Sequence, residues 1–216
     1  MGQPKLLLPW PKGNSKSIEK ATQQDSPASI LDATSASQTV IDRVLEAWTT
    51  SQVIETIVVV RNDDSALRDA CNRWPVTVVH PPTTTHDMRE SVCVGLQFLI
   101  DKGVLTGQAR CFIAPADLPE LKPQVIDRLI EAQTDARMIL IPRFGRSLET
   151  SVTGHPVLLP WEFTNEILTL GPQEGVNTVV KRHPQEFVLL PPELTVKDFD
   201  TPSEYHAILE SARFLP

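Results

Sequence analysis

Between Thr39 and Ile141 the chain alternates stretches of helical apolar spacing with short, continuously apolar runs, and that alternation restricts its fold more than any other feature. Val40, Ile41, Val44, Leu45 and Trp48 recur at helical spacing and lead into the β-rich run Ile54 to Val60. Ala66 to Arg73 reads as a second helix, followed by a strand over Val76 to Val79 that stops at His80-Pro81-Pro82. The cycle then repeats. Met88 to Ile100 carries Val92, Gly95, Leu96 and Leu99 at helical spacing ahead of a strand over Arg110 to Ala114. Pro123 opens a further helix, with Val125, Ile126, Leu129 and Ile130 facing inward, before a strand over Arg137 to Ile141 that ends at Pro142. Helices between short strands that are apolar on both faces predict an α/β fold whose mostly parallel sheet is covered on both sides.

Beyond Pro142 the pattern predicts a strand at His155 to Leu159 and helices near Trp161 to Leu170 and Glu174 to Lys181. A strand at Phe187 to Leu190 and a last helix from Pro202 complete it. Residues 12–38 are rich in Ser, Thr, Gln and Lys and read as a flexible surface insertion. No internal repeat or change of composition appears, so the expectation is one domain over 1–216.

Composition excludes some functions. A formal charge of −7 with no basic block gives no footprint for nucleic acid or an anionic membrane. No run approaches the ~20 apolar residues of a membrane helix, and the first residues lack the design of a secretory signal, so a cytoplasmic protein is expected. Cysteines 71, 93 and 111 lie in apolar-rich runs without C-x-x-C spacing, which suits small buried side chains better than disulfides or a zinc site. Glycine is scarce, 9 in 216, and the glycine signatures of phosphate-cradling loops are missing.

Ligands of open α/β sheets bind beyond the carboxyl ends of the strands. Cys111 to Pro119 is such an end: an apolar run that delivers Asp117 between Pro115 and Pro119, which restrict the backbone and fix where the carboxylate points. Asp117 suits a hard cation such as Mg²⁺, or else serves only the turn or the next helix cap. Asp200, in Asp198-Phe199-Asp200-Thr201-Pro202, is a second carboxylate near a helix start; Asp200 or Thr201 is placed to cap that helix. Lys5 stands beside the apolar run Leu6-Leu7-Leu8, as a phosphate partner or as a solvated surface lysine. His155, at the start of a strand, either meets a substrate oxyanion or caps the sheet edge.

The order of the motifs is more specific than any one of them. M-G-Q-P-K-L-L-L-P at the start, S-V-C-V-G-L at 91–96, P-A-D-L-P at 115–119, G-H-P-V-L at 154–158 and F-D-T-P-S-E-Y at 199–205 resemble the MobA-like NTP transferase family. Within it, the chain looks most like the molybdenum cofactor cytidylyltransferase branch. The resemblance implies a single three-layer Rossmann-like domain of the nucleotide-diphospho-sugar transferase (GT-A-like) type. It implies transfer of CMP from CTP, or of a nucleotide from another NTP, to molybdopterin cofactor with release of pyrophosphate, dependent on Mg²⁺. Carried over by position, Lys5 neutralises the triphosphate, Asp117 binds the metal, and Asp200 is a second metal ligand. Gly2 belongs to the first motif, Ser91 and Gly95 to a helix start close to the nucleotide, and Gly154 and His155 to the loop on the pterin side. A molybdenum hydroxylase would be the client.

Members of that family begin with L-A-A-G-x-S-x-R-M-G-x-P-K, and this chain starts at the methionine of that motif. The expectation is a natural start about 15–20 residues upstream, a strand of ~5 residues plus a phosphate loop. Without them, two neighbouring strands should lack a partner and a slot should open in the core, leaving the nucleotide site incomplete. Base choice should depend largely on that loop. Two other readings stay open: a non-catalytic protein that binds the cofactor for a molybdenum hydroxylase, and a nucleotidyltransferase acting on a sugar or polyol phosphate.

Overall fold

The computed structural model describes residues 4–11, 38–103, 109–132 and 135–213. Gly2 and residues 12–37 of the expected insertion lie outside the described residues. Nine strands and seven α-helices are found among the described residues, with β1 at Pro9–Trp10, β2 at Gln38–Thr39 and α1 at Val40–Thr49. Next come β3 at Ile57–Val59, α2 at Ser65–Cys71, β4 at Thr77–Val79, α3 at Met88–Lys102 and β5 at Arg110–Ile113. Then follow α4 at Pro123–Glu131, β6 at Ile139–Phe144, β7 at Val152–Thr153, β8 at Val157–Pro160 and α5 at Trp161–Leu168. The last elements are α6 at Val176–Arg182, β9 at Gln185–Leu190 and α7 at Pro202–Arg213.

The α/β class and its three layers follow from period-two burial. Ile113, Ile139, Ile141, Val157 and Leu159 face one side and pack with Leu96 of α3, Ile167 of α5 and Val179 of α6. Phe112, Phe144, Val188 and Leu190 face the other and pack with Val44 and Trp48 of α1 and Val125 and Ile126 of α4. The main sheet runs β5-β8-β6-β7, with β9 on the other edge of β6. It is mixed rather than mostly parallel: β9 is parallel to β6, but β8 lies antiparallel between β5 and β6, and β7 is antiparallel to β6. Burial on both faces dictates a continuous apolar run whichever way the strand points, so the pattern could not show that β8 is reversed.

The strand expected to end at Pro142 continues to Phe144. On one edge of β6, β8 pairs at Leu140 and β7 at Arg143 and Phe144, so Pro142 falls between partners where its missing N–H costs little. Its carbonyl still accepts from the Gly154 N–H at 3.1 Å.

β3 and β4 form a separate parallel pair. Val58 and Val60 turn toward Ile41 and Leu45 of α1, while the place of a Cβ on Gly95 of α3 would be 3.4 Å from Val59 and 3.9 Å from Ile57. Thus α1 and α3 each touch both the β3-β4 pair and the main sheet. Among the described residues no ladder joins β3 to β5, and a cavity of about 810 Å³ lies between them.

Candidate active site

The first described residues are held by α1 and α7. Lys5–Leu7 make one 3₁₀ turn whose leucines pack on Ile41 and Leu45. β1 pairs with β2, the Val40 N–H donates to Leu8 O, and the Tyr205 hydroxyl donates to Pro9 O. These restraints fix the backbone from which Lys5 projects.

Lys5 reaches across the molecule. Its Nζ donates to Asp117 Oδ2 at 2.6 Å and to Asp200 Oδ1 at 2.9 Å, and sits 4.8 Å from the centre of the Phe199 ring. Burial alone would lower the Lys5 pKa, but the hydrogen bonds from Asp117 and Asp200 outweigh it, so the ammonium titrates above its usual value. Asp117 follows β5 and is pinned by the buried neighbour Leu118. Asp200 precedes α7, where Thr201 rather than Asp200 makes the cap: the Glu204 N–H donates to Thr201 Oγ1, and Glu204 Oε2 accepts from the N–H groups of Asp200 and Thr201. The Asp200 carboxylate is thereby left for Lys5.

One ammonium against two carboxylates leaves this centre net negative, which repels a triphosphate unless a cation joins it. Asp117 Oδ1 is buried and without a hydrogen-bond partner, the condition of a carboxylate oxygen open to a metal ion. No group of three or more His, Cys, Asp or Glu that could hold a metal occurs among the described residues. The donor set therefore fits Mg²⁺, which takes one or two carboxylates and completes its shell with water and substrate phosphates.

The other expected residues fall into two places. Ser91 and Gly95 lie on α3 and line the apolar cavity between β3 and β5, and Ser91 Oγ is occupied by Thr85 Oγ1 and Asp87 O. Gly154 and His155 border the main sheet. A Cβ on Gly154 would stand 2.6 Å from the Phe144 ring, so the strand crosses that ring only as glycine. His155 lines a second cavity of about 360 Å³ together with Arg89 of α3 and Gly175 to Asn177 at the start of α6. Arg89 escaped the sequence reading. Its Nε is buried without a partner, and Asp87 and Glu90 approach its guanidinium only to 3.7 and 3.6 Å. A basic residue in the first turn of a helix, where acids are favoured, was the available signal.

Burial lowers the His155 pKa below its usual 6.5, with Asp198 and Asp117 pulling it partly back. A depressed folded value means that stability is full above the unfolded pKa of about 6.5 and is lost as pH falls toward the folded one. The expected result is a Tm that drops between pH 7 and 5 and a shallower drop in His155→Gln; identical slopes in thermal melts would remove His155 as the cause. Burial also pushes the thiols of Cys71 and Cys111 up to about 11 and about 12, so both stay protonated near neutral pH.

A sequence model described as the MobA-like NTP transferase domain matches residues 1–187. The chain belongs to this family. Solved structures agree on the fold. Rv0371c of Mycobacterium tuberculosis H37Rv, in complex with manganese, is 21% identical with a TM-score of 0.62, covering 97% of this chain and 93% of that one. A 4-diphosphocytidyl-2C-methyl-D-erythritol synthase is 18% identical with a TM-score of 0.63, covering 80% and 87%. A CMP:2-keto-3-deoxy-manno-octonic acid synthetase complexed with CTP is 10% identical with a TM-score of 0.62, covering 82% and 88%. No curated protein matches the chain in sequence. As a MobA-like NTP transferase of GT-A-like fold, it carries the architecture of nucleotide transfer. No helix among the described residues is long and apolar enough to cross a membrane.

Proposed function

We propose that the chain is a nucleotidyltransferase that moves CMP from CTP to the terminal phosphate of molybdopterin cofactor and releases pyrophosphate. The observation that carries this reading is the Lys5 ammonium clasped between Asp117 and Asp200, beyond the carboxyl end of β5. An oxygen of the acceptor phosphate attacks the α-phosphorus of the nucleotide, and the bond from that phosphorus to the oxygen of the β-phosphate breaks. No protein nucleophile is needed, so positioning and charge neutralisation supply the rate. When bound by Asp117 and Asp200, Mg²⁺ would offset charge on the phosphate oxygens. Lys5 is placed to offset charge gathering on the leaving pyrophosphate.

The cavity beside His155 and Arg89 is the side from which the acceptor would approach, with Arg89 free to meet its phosphate. A cytidine nucleotide is favoured by the chain's resemblance to the cytidylyltransferase branch. The structural relative complexed with CTP shows that this fold accommodates that nucleotide. The molybdenum hydroxylase is the downstream client of this reading, in the cytoplasm.

The deciding measurement is pyrophosphate release from CTP, GTP or ATP with Mg²⁺ and either molybdopterin or a polyol phosphate. Release with CTP and molybdopterin, reduced about 10²–10³-fold in Lys5→Met, is expected. Release only with the polyol phosphate would move the acceptor to that class. Pterin binding without release from any pair would make it a binding protein.

A further inference from the structure

The cavity between β3 and β5 has the construction of a strand site. Its two walls are strand edges: β3 uses its other edge on β4 and β5 its other edge on β8, and no ladder among the described residues uses the edges that face each other. α1 covers it on one side, with Leu45 and Trp48, and α3 on the other, with Val92, Leu96 and Leu99. Trp48 already packs edge-on against Phe112 of β5, their ring centres 5.5 Å apart. At the rim stand three large apolar side chains left to solvent, Ile54, Met88 and Ile130, of which Ile54 is fully exposed.

Such walls select their occupant. A small apolar molecule would fill the volume but leave two rows of backbone N–H and C=O groups unsatisfied, each costly in a dry site. An added strand satisfies both rows at once. With strands about 4.8 Å apart, layers about 10 Å apart and a rise of about 3.3 Å, one residue takes about 160 Å³ and a five-residue strand about 800 Å³. That agrees with the cavity, and with the three and four residues of β3 and β5. The occupant must be apolar on both faces, because α1 and α3 present apolar side chains to each.

We propose that this slot binds, in trans, a single extended and uncharged apolar polypeptide segment of about five residues, which pairs with both β3 and β5 and joins the two sheets. The recognition is β-strand addition, but to two edges rather than one. It stands independently of the chemistry at Lys5, since no charged group of that centre lines the slot.

The probe is an acetylated, amidated heptapeptide with a Val-Ile-Val-Leu-Val core and one lysine at each end, added to the full chain. Saturable binding followed through Trp48 fluorescence is expected, with Tm rising about 5–10 °C at a hundredfold excess over Kd. Hydrogen exchange should slow in β3 and β5 and not on the free edge of β9. The same peptide N-methylated at alternate residues keeps its side chains and loses half its donors, and should bind at least tenfold more weakly. Equal binding by the methylated peptide, or protection confined to other edges, would overturn the proposal in favour of a plain apolar pocket. Protection of β3 and β5 that grows with protein concentration without peptide, alongside a dimer in sedimentation, would overturn it in favour of a second copy. Val92→Trp, which fills the floor of the slot, should abolish binding; the methylated peptide decides the matter on the unaltered protein if that variant does not fold.

Discussion

Asp117→Ala is expected to cut metal-dependent pyrophosphate release by about a thousandfold or more while leaving the circular dichroism spectrum unchanged. Removal takes away the carboxylate whose Oδ1 is buried and unpartnered and whose Oδ2 holds Lys5 at 2.6 Å. A divalent ion on transferring phosphate contributes several kcal/mol of charge stabilisation, and each 1.4 kcal/mol is a factor of ten. Asp117→Asn keeps the size and should lose nearly as much, because an amide oxygen carries no charge for the cation. Asp200, whose side chain is 83% exposed and so faces a more screened cation, should tolerate asparagine better, with a loss of about ten- to a hundredfold. Mn²⁺ binding in the presence of nucleotide gives a readout free of turnover and should weaken in the same order. Activity within tenfold of the unaltered protein in Asp117→Ala would remove this aspartate from the proposed site.

The largest stability effect outside the apolar core is expected at Asp42. This carboxylate accepts from the Thr39 N–H and hydroxyl at the start of α1, from Trp74 Nε1 at 2.9 Å and from Arg73 at 2.9 and 3.1 Å. Burial would raise its pKa, but the hydrogen bonds from Thr39, Trp74 and Arg73 outweigh it and hold the carboxylate below its usual 3.8. Asp42→Ala removes a cap worth about 1 kcal/mol and charge-assisted hydrogen bonds worth about 1.5–3 kcal/mol, and leaves the indole N–H without its acceptor. Arg73 is 57% exposed, so its share is discounted for solvent. The expected loss is about 2–4 kcal/mol from urea midpoints at pH 7. It should shrink in acid, because a depressed carboxylate contributes stability above its unfolded pKa and loses it as pH falls through the folded one. A difference below about 0.5 kcal/mol would show that Arg73 and Trp74 find other partners.

The sequence disclosed most where one physical constraint acted alone. Helical spacing over Val40 to Trp48 and the apolar run at Arg110 to Ile113 needed no partner to be read, because each reports only which faces are buried. Strand direction escaped because burial is blind to it, as β8 shows. Pro142 misled because a proline deletes one donor, and whether that donor was needed depends on where β7 and β8 stop along the neighbouring edge. At the site, motif order selected Lys5, Asp117 and Asp200, and the structure brings them within hydrogen-bond distance. It keeps Ser91 and Gly95 on the wall of the apolar slot and lines a separate cavity with His155. Phe199 stood inside a motif with no role assigned, since nothing in its spelling says that a lysine 194 positions earlier will hover over its ring.

Lys5, Asp117 and Asp200 lie 112 and 195 positions apart along the chain, so a single cation clips the beginning, the middle and the end of the polypeptide at one point. A clip between such distant segments can close only after the intervening chain has taken its place, because loops of that length must be closed before the contact rewards them. The centre is then the last thing to be assembled and the first to be lost. A protease cut that frees α7, or fraying of the strands that hold Pro9 and Trp10, would dismantle it while leaving the main sheet standing.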